Sequence, residues 1–350
     1  MRFLAIAFAC LLVSPPAVVA EPPTWETQKT GVDASLRGLC VVDAKVIWAS
    51  GTEGTVLRTD DGGKDWLVVS VDGATELDFR DIHAFDAKNA IVLSAGQPAR
   101  VYQTSDGGES WTQRFEHPNK KSFFDSLSFF DDKHGIAMSD PVDDHVLLIE
   151  TKDGGATWSE LPASRRPKKE RGEAGFAASG TNMCVMADQA YIALGGGEEG
   201  QTEDSSRIVY SMDRAQTWNV AKVPIPRGPS SGIFSIAFAD IGNGVAVGGD
   251  YKNPKKTAGN IAITKDGGKT WTRPTGKPPR GFRSGVGVRE MGELVVWVAV
   301  GTTGSDYSVD GGQNWIPVAN VELHAVQFSP DVSAGFASGP KGRIAKWIGP

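Results

Sequence analysis

The sequence predicts an all-β fold, a seven-bladed β-propeller of four-stranded antiparallel blades whose ring is closed by the N-terminal strand. Three observations predict it. An octapeptide Ser/Thr-x-Asp-Gly-Gly-x-x-Trp recurs at Thr59–Trp66, Thr104–Trp111, Thr151–Trp158, Thr264–Trp271 and Ser308–Trp315, with a degenerate copy at Ser211–Trp218. Its tryptophans are spaced by 45, 47, 60, 53 and 44 residues, a period suited to a blade of several short strands. The two chain ends carry complementary partial repeats.

Each octapeptide reads as a hairpin. Alternating residues such as Ile261 and Ile263 lead in as a strand, and Asp-Gly-Gly turns the chain because glycine reaches positive φ without steric cost. The Asp carboxylate accepts turn N–H groups and the Ser/Thr hydroxyl holds the bend. Trp opens the returning strand and packs back over the turn. The structural residues are therefore Asp61 and Trp66, Asp106 and Trp111, Asp153 and Trp158, Asp213 and Trp218, Asp266 and Trp271, and Asp310 and Trp315. Upstream, Leu36–Leu39 with Val46–Gly51 aligns with Phe79–Ile82 and Ala90–Gly96, giving the two inner strands of each blade.

These octapeptides resemble the Asp-box, or BNR repeat, of β-propeller blades. The box occurs in sialidases, sortilin-type receptors, some glycanases and photosystem II assembly factors, so it implies a fold and not a function.

After the sixth box, Ala325–Phe328, Ala334–Ser338 and Gly342–Trp347 supply three strands of a further blade. The fourth comes from Thr24–Gln28, which resembles Ser110–Arg114. Closing the ring in this way removes exposed sheet edges. Residues 21–350 thus form one domain.

Residues 1–20 read as an export signal: Arg2, the apolar run Phe3–Val13, then Val18 and Ala20 before Glu21. The run is too short to span a bilayer. The expected location is the periplasm or the medium, after cleavage near Ala20. Removing Arg2 moves the net charge from −6 to −7, which argues against general nucleic-acid binding. Cys40 and Cys184 fall in the first and fourth repeats, too far apart for a disulfide. No cofactor or metal is expected: the five histidines lack zinc spacing, and Gly195–Gly197 lacks the Lys-Ser/Thr of a phosphate loop. A monomer is expected.

In a propeller the box hairpins lie on one face and the longer connections on the other. The longer connections are Pro162–Gly175 with its basic run Arg165–Arg171, the acidic Gly195–Ser206, Gly248–Gly259, and the shorter loops at Asp140-Pro141 and Gly304–Tyr307. Candidate ligand- or partner-binding residues at the channel mouth are Glu173, Ser179, Ser231, Asp250, Tyr251, Arg283 and Asp306. For Glu173, Asp250 and Asp306 the alternative is a structural one, capping turns or neutralising Arg207 and Arg283. Small residues in Gly172–Gly180 and Ser230–Ser235 would let the backbone approach the axis closely.

Over most of residues 24–350, blade count and box order look like the photosystem II assembly and stability factor family and its non-photosynthetic bacterial relatives. That resemblance implies a non-enzymatic assembly factor outside the cytoplasm, with an arginine-rich surface for a protein partner. Arg280 and Arg283, beside Arg80 and Arg37, are the arginines that would form a comparable patch. The alternatives are a glycan-binding module and a sialidase-type glycoside hydrolase. The latter needs three arginines, a Tyr–Glu nucleophile pair and an acid/base Asp, and this chain lacks the Arg-Ile-Pro motif of those enzymes. The identity of the ligand and the photosynthetic or other nature of the source are not written in the sequence.

Overall fold

The computed structural model describes residues 21–349; the export segment expected over residues 1–20, and Pro350, lie outside them. Alternating apolar residues, interrupted by Gly- and Asp-rich turns, produce short antiparallel strands that pair in sequence order. The first blade comprises Leu36–Val41, Ile47–Gly51, Val56–Thr59 and Leu67–Val68, from the axis outward. The second comprises Asp78–Ala84, Ala90–Ala95, Arg100–Thr104 and Thr112–Glu116. Phe124–Phe129, Gly135–Val142, His145–Thr151 and Ser159–Glu160 form the third, and Met183–Met186, Gln189–Gly196, Ser206–Ser211 and Asn219–Val223 the fourth. The sixth is Gly285–Met291, Leu294–Gly301, Gly304–Ser308 and Ile316–Ala319.

The fifth blade departs from four strands. Ser231–Phe238, Gly244–Asp250 and Ile261–Thr264 are regular, but the outer position is a single bridge between Ile263 and Thr272. Pro274 follows two residues on and Pro278 and Pro279 soon after, and proline has no N–H to continue a ladder.

The seventh blade joins the chain ends as expected. Ala325–Phe328, Gly335–Ser338 and Ile344–Ile348 are completed by Thr24–Gln28, with Trp25 opposite Trp347. The core is distributed between blades. One apolar cluster sets Trp48 and Val56 of the first blade against Phe79 and Val92 of the second. Similar clusters fill each following interface, and one joins Ala325 and Phe336 of the seventh blade to Leu36 and Leu57 of the first.

The boxes behave as hairpin devices. In Thr264–Trp271, Thr264 Oγ1 donates to Asp266 Oδ1 (2.9 Å) and accepts from Gly268 N–H (3.0 Å), and Asp266 accepts from the backbone and hydroxyl of Thr270 (2.9 and 2.6 Å). The degenerate copy keeps this network through Ser211, Asp213 and Thr217. There Arg214 and Ala215 adopt φ of 56° and 62°, the left-handed conformation glycines hold elsewhere. The tryptophans split into groups. Trp158, Trp271 and Trp315 donate Nε1–H to their own turns, whereas Trp111 and Trp218 reach back across a blade interface to the carbonyls of Val69 and Arg165.

Candidate functional site

The inner strands carry irregularities that shape one end of the channel. Register shifts between Leu36 and Gly38, Phe79 and Asp81, Phe124 and Ser126, and Ile233 and Ser235 leave Arg37, Arg80, Asp125 and Phe234 as bulged residues. A bulge re-aims its side chain away from the pleat. Arg37, Arg80 and Phe234 line a cavity of about 340 Å³ at the loop-bearing mouth, with Phe176, Tyr251, Phe282, Glu322 and His324.

A strap crosses this mouth. Glu173–Ala174 add a short strand to Gly195–Gly196 of the fourth blade. Beyond it, Gly175 N–H donates to Asp140 of the third blade (2.8 Å), and Phe176 stacks on Phe234 of the fifth with centroids 3.9 Å apart. The Ala177 carbonyl accepts from Arg80 Nη1 of the second (2.8 Å), and the Ala178 carbonyl from Arg37 Nη1 of the first (3.4 Å). Ser179 Oγ donates to the Ser284 carbonyl beside the sixth (2.7 Å). The small residues let the backbone approach the axis, as the sequence suggested.

The mouth combines aromatic faces with positive charge. Phe282 meets Phe234 edge-on (4.7 Å), and Tyr251, 46% exposed, stands edge-on to Phe234 from solvent (6.3 Å). Arg80 Nε binds Asp78 (2.6 Å). Arg37 makes no ion pair among the described residues; burial, and then the Arg80 charge, lower it to about 10, so it is cationic near neutrality. Burial first, then Arg37, push His324 down to about 3, leaving the ring neutral. The site thus offers one cation outside any ion pair, within the longer-range field of Asp78 and Glu322, against an apolar wall.

The residues singled out from the sequence are not all gathered at this mouth. Tyr251 lines it and Ser179 anchors the strap. Ser231 and Asp250 line a separate polar cleft of about 220 Å³ between the loops of the fourth and fifth blades. There Asp250 accepts from Ser230 Oγ (2.8 Å) and the Lys252 N–H (3.0 Å), a turn-capping role. Glu173 is buried against Arg207, with Nε at 2.5 Å and Nη2 on the other oxygen. Arg283 and Asp306 are both wholly buried; Asp306 also accepts from Arg280 Nε (3.0 Å). These three carboxylates therefore take the structural roles that the sequence left as their alternative. Of the four arginines considered for a patch, Arg37 and Arg80 face the mouth while Arg280 and Arg283 converge on Asp306. The signal for the first two was present, since Leu36-Arg37-Gly38 and Phe79-Arg80-Asp81 align within the repeat.

Among the described residues no group of three His, Cys, Asp or Glu side chains is placed to hold a metal ion, and no helix is long and apolar enough to cross a membrane. Cys40 and Cys184 are free thiols.

Fold and boxes together define a BNR-type β-propeller. The particular likeness is to the photosystem II assembly factor: the family described as "Photosynthesis system II assembly factor YCF48" matches residues 17–120. A solved structure described as "YCF48 bound to D1 peptide" aligns at TM-score 0.62 and 20% identity, covering 96% of this chain and 98% of that one. YCF48 from Cyanidioschyzon merolae aligns at 0.60 and 16% identity, covering 92% and 98%. The GH74 xyloglucanase from Xanthomonas campestris aligns at 0.61 and 17% identity, covering 93% of this chain and 53% of that chain, a likeness of fold. No curated protein matches the chain.

Proposed function

We propose that the protein is a non-catalytic capture factor that holds a peptide segment of a protein partner at the strap-crossed mouth. The observation that carries this reading is Arg37, beside Phe234, Phe282 and Tyr251 and in no ion pair among the described residues, with Asp78 and Glu322 acting on it only at longer range. A side-chain or terminal carboxylate fits the guanidinium, and an adjacent apolar side chain fits the aromatic wall. That one solved YCF48 is described as bound to a D1 peptide supports a peptide as the class of ligand. The export segment read at residues 1–20 supports a partner outside the cytoplasm; the N-terminal sequence of protein recovered from the periplasm or medium tests it, and uncleaved protein in the cytoplasm would refute it.

The binding test is calorimetric titration of protein 21–350 with short peptides that pair an acidic residue with Phe or Leu, alongside neutral and sialylated oligosaccharides. Peptide binding that disappears in Arg37→Ala is expected. Binding of the oligosaccharides with none of the peptides would overturn the reading in favour of a glycan module. Turnover of a fluorogenic sialoside would overturn it in favour of an enzyme.

A further inference from the structure

At Gly175 the strap rests on two carboxyl groups that the peptide-binding reading does not use. Asp125, the bulged residue of the third blade's inner strand, is wholly buried; no well-formed hydrogen bond reaches either oxygen, and its nearest donors are the backbone N–H groups of Ala177 and Asp140. Gly175 lies directly against it: a methyl group there would fall 2.6 Å from Asp125 Oδ2. The same glycine donates its N–H to Asp140 Oδ1 (2.8 Å). One strap residue is therefore seated between two carboxyls. A buried acid with only weak donors is expensive to ionise, and a like neighbour makes it more so.

We propose that the Gly172–Thr181 strap is a proton-governed latch, seated over the channel while Asp125 and Asp140 share few charges and lifted when both ionise. Gly172 and Gly180 bracket the moving part, with φ of 68° and 71°, where glycine turns at little cost. The remaining charged groups that face the pair come from every side. Arg80, from the second blade, offsets Asp125, but its guanidinium is held by Asp78 and the Ala177 carbonyl. Asp81, against Gly180 at the other end of the strap, is also raised well above the carboxylate range by burial, but its oxygens accept from the N–H groups of Ile82 and Leu127. Glu173, at the strap's root, is tied to Arg207. None of these supplies a new cation when the pair ionises, so relief comes from admitting water beneath Gly175.

The sign follows from the direction of both shifts. Burial, then Asp140, raise Asp125 well above the carboxylate range, and burial pushes Asp140 up to about 6. The seated strap is therefore fully favoured below the ordinary carboxylate value and loses that advantage as pH climbs through about 6. Lifting would withdraw the Ala177 and Ala178 carbonyls from Arg80 and Arg37. The latch stands whether or not the mouth takes a peptide.

Amide exchange by mass spectrometry on protein 21–350 tests it, comparing about pH 5 with about pH 7.5 after correction for intrinsic exchange. Wild-type strap amides should lose protection roughly tenfold at the higher pH, the equivalent of one pKa unit of coupling, while Val296–Val300 stays unchanged. Asp125→Asn and Asp140→Asn should each remove the difference; the latter keeps an acceptor for Gly175 and decides the matter if the former does not fold. Equal strap protection at both pH values in wild type, or a pH difference that persists in a folded variant, would overturn the proposal.

Discussion

Trp25 and Trp347 stand edge to face with centroids 5.0 Å apart and planes 69° apart, on paired strands taken from opposite ends of the chain. Trp25 Nε1 also donates to Ser305 Oγ of the sixth blade (2.9 Å), so one side chain ties the closing strand both to its own blade and to the next. Trp25→Ala should lower stability by about 2–4 kcal/mol through lost burial and edge-to-face contact. Trp25→Phe should recover most of the packing and not the hydrogen bond. Urea unfolding of the two variants measures this; equal stabilities for wild type and Trp25→Ala would mean that the ring does not depend on that strand.

In the boxes the hydroxyl, more than the carboxylate, is the buried element. Thr264 is 4% exposed and its Oγ1 serves the N–H of Gly268, whereas Asp266 lies near the surface. Thr264→Val should cost about 1–3 kcal/mol by stranding that N–H, and Asp266→Ala should cost less. Peptide binding should survive both substitutions in folded protein. Loss of binding without loss of stability would make the boxes a ligand site.

Much of the ring was legible because its determinants are local and repeated. The Asp-Gly-Gly turn and its Trp announce themselves at every hairpin, and the half-repeats around Trp25 and Gly342 named the closing pair. The bulges were harder to see: an extra residue in an inner strand alters no composition, and only the alignment of Arg37 with Arg80 hints at it. Glu173 and Asp306 show the opposite difficulty. A carboxylate in a connection reads equally as ligand-facing or as paired, and both are buried on Arg207 and Arg283, the partners the structural alternative named, 34 and 23 positions away. The strap was visible as a run of small residues around Phe176, but its contacts with six blades are a tertiary fact.

The Arg283–Asp306 pair should therefore act on folding. Both side chains are wholly buried, and removing one partner leaves the other as an uncompensated charge. Arg283→Ala should destabilise by roughly 3–5 kcal/mol, with Asp306→Ala similar. Asp250→Ala, at an exposed turn, should be much milder. Thermal melting separates these outcomes. A stable Arg283→Ala protein that no longer binds peptide would instead place Arg283 in the ligand site.

Acid should find the boxes first. Asp106, Asp153 and Asp266 sit below the ordinary carboxylate range, chiefly because the hydroxyls of Ser110, Thr157 and Thr270 donate to them, and Asp106 falls to about 2. Their contribution is present above the unfolded carboxylate value and is lost as pH falls through the folded one. Stability should drop steeply below about pH 4. Because hydrogen bonds dominate, added salt should change that limb little. Asp106→Asn should flatten it, and an unchanged acid limb in that variant would shift the cause elsewhere.

The last expectation concerns Arg37. Its guanidinium touches the strap only through one long bond to the Ala178 carbonyl, so most of its donors are uncommitted. Bound carboxylate would meet it beside Phe234 and Phe282, where the apolar wall lowers the local dielectric and strengthens a charge-assisted bond. Arg37→Ala should then weaken an acidic–aromatic peptide by about 1.5–3 kcal/mol, roughly ten- to hundredfold. Arg37→Lys keeps the charge but not the planar fork and should recover only part of this. Tyr251→Ala should weaken the same peptide through its aromatic residue, and neutralising the peptide's carboxylate should cost wild type what Arg37→Ala does. The two changes together should not add, because both remove one contact. Full additivity in that cycle would separate Arg37 from the carboxylate and send the anion to another part of the mouth.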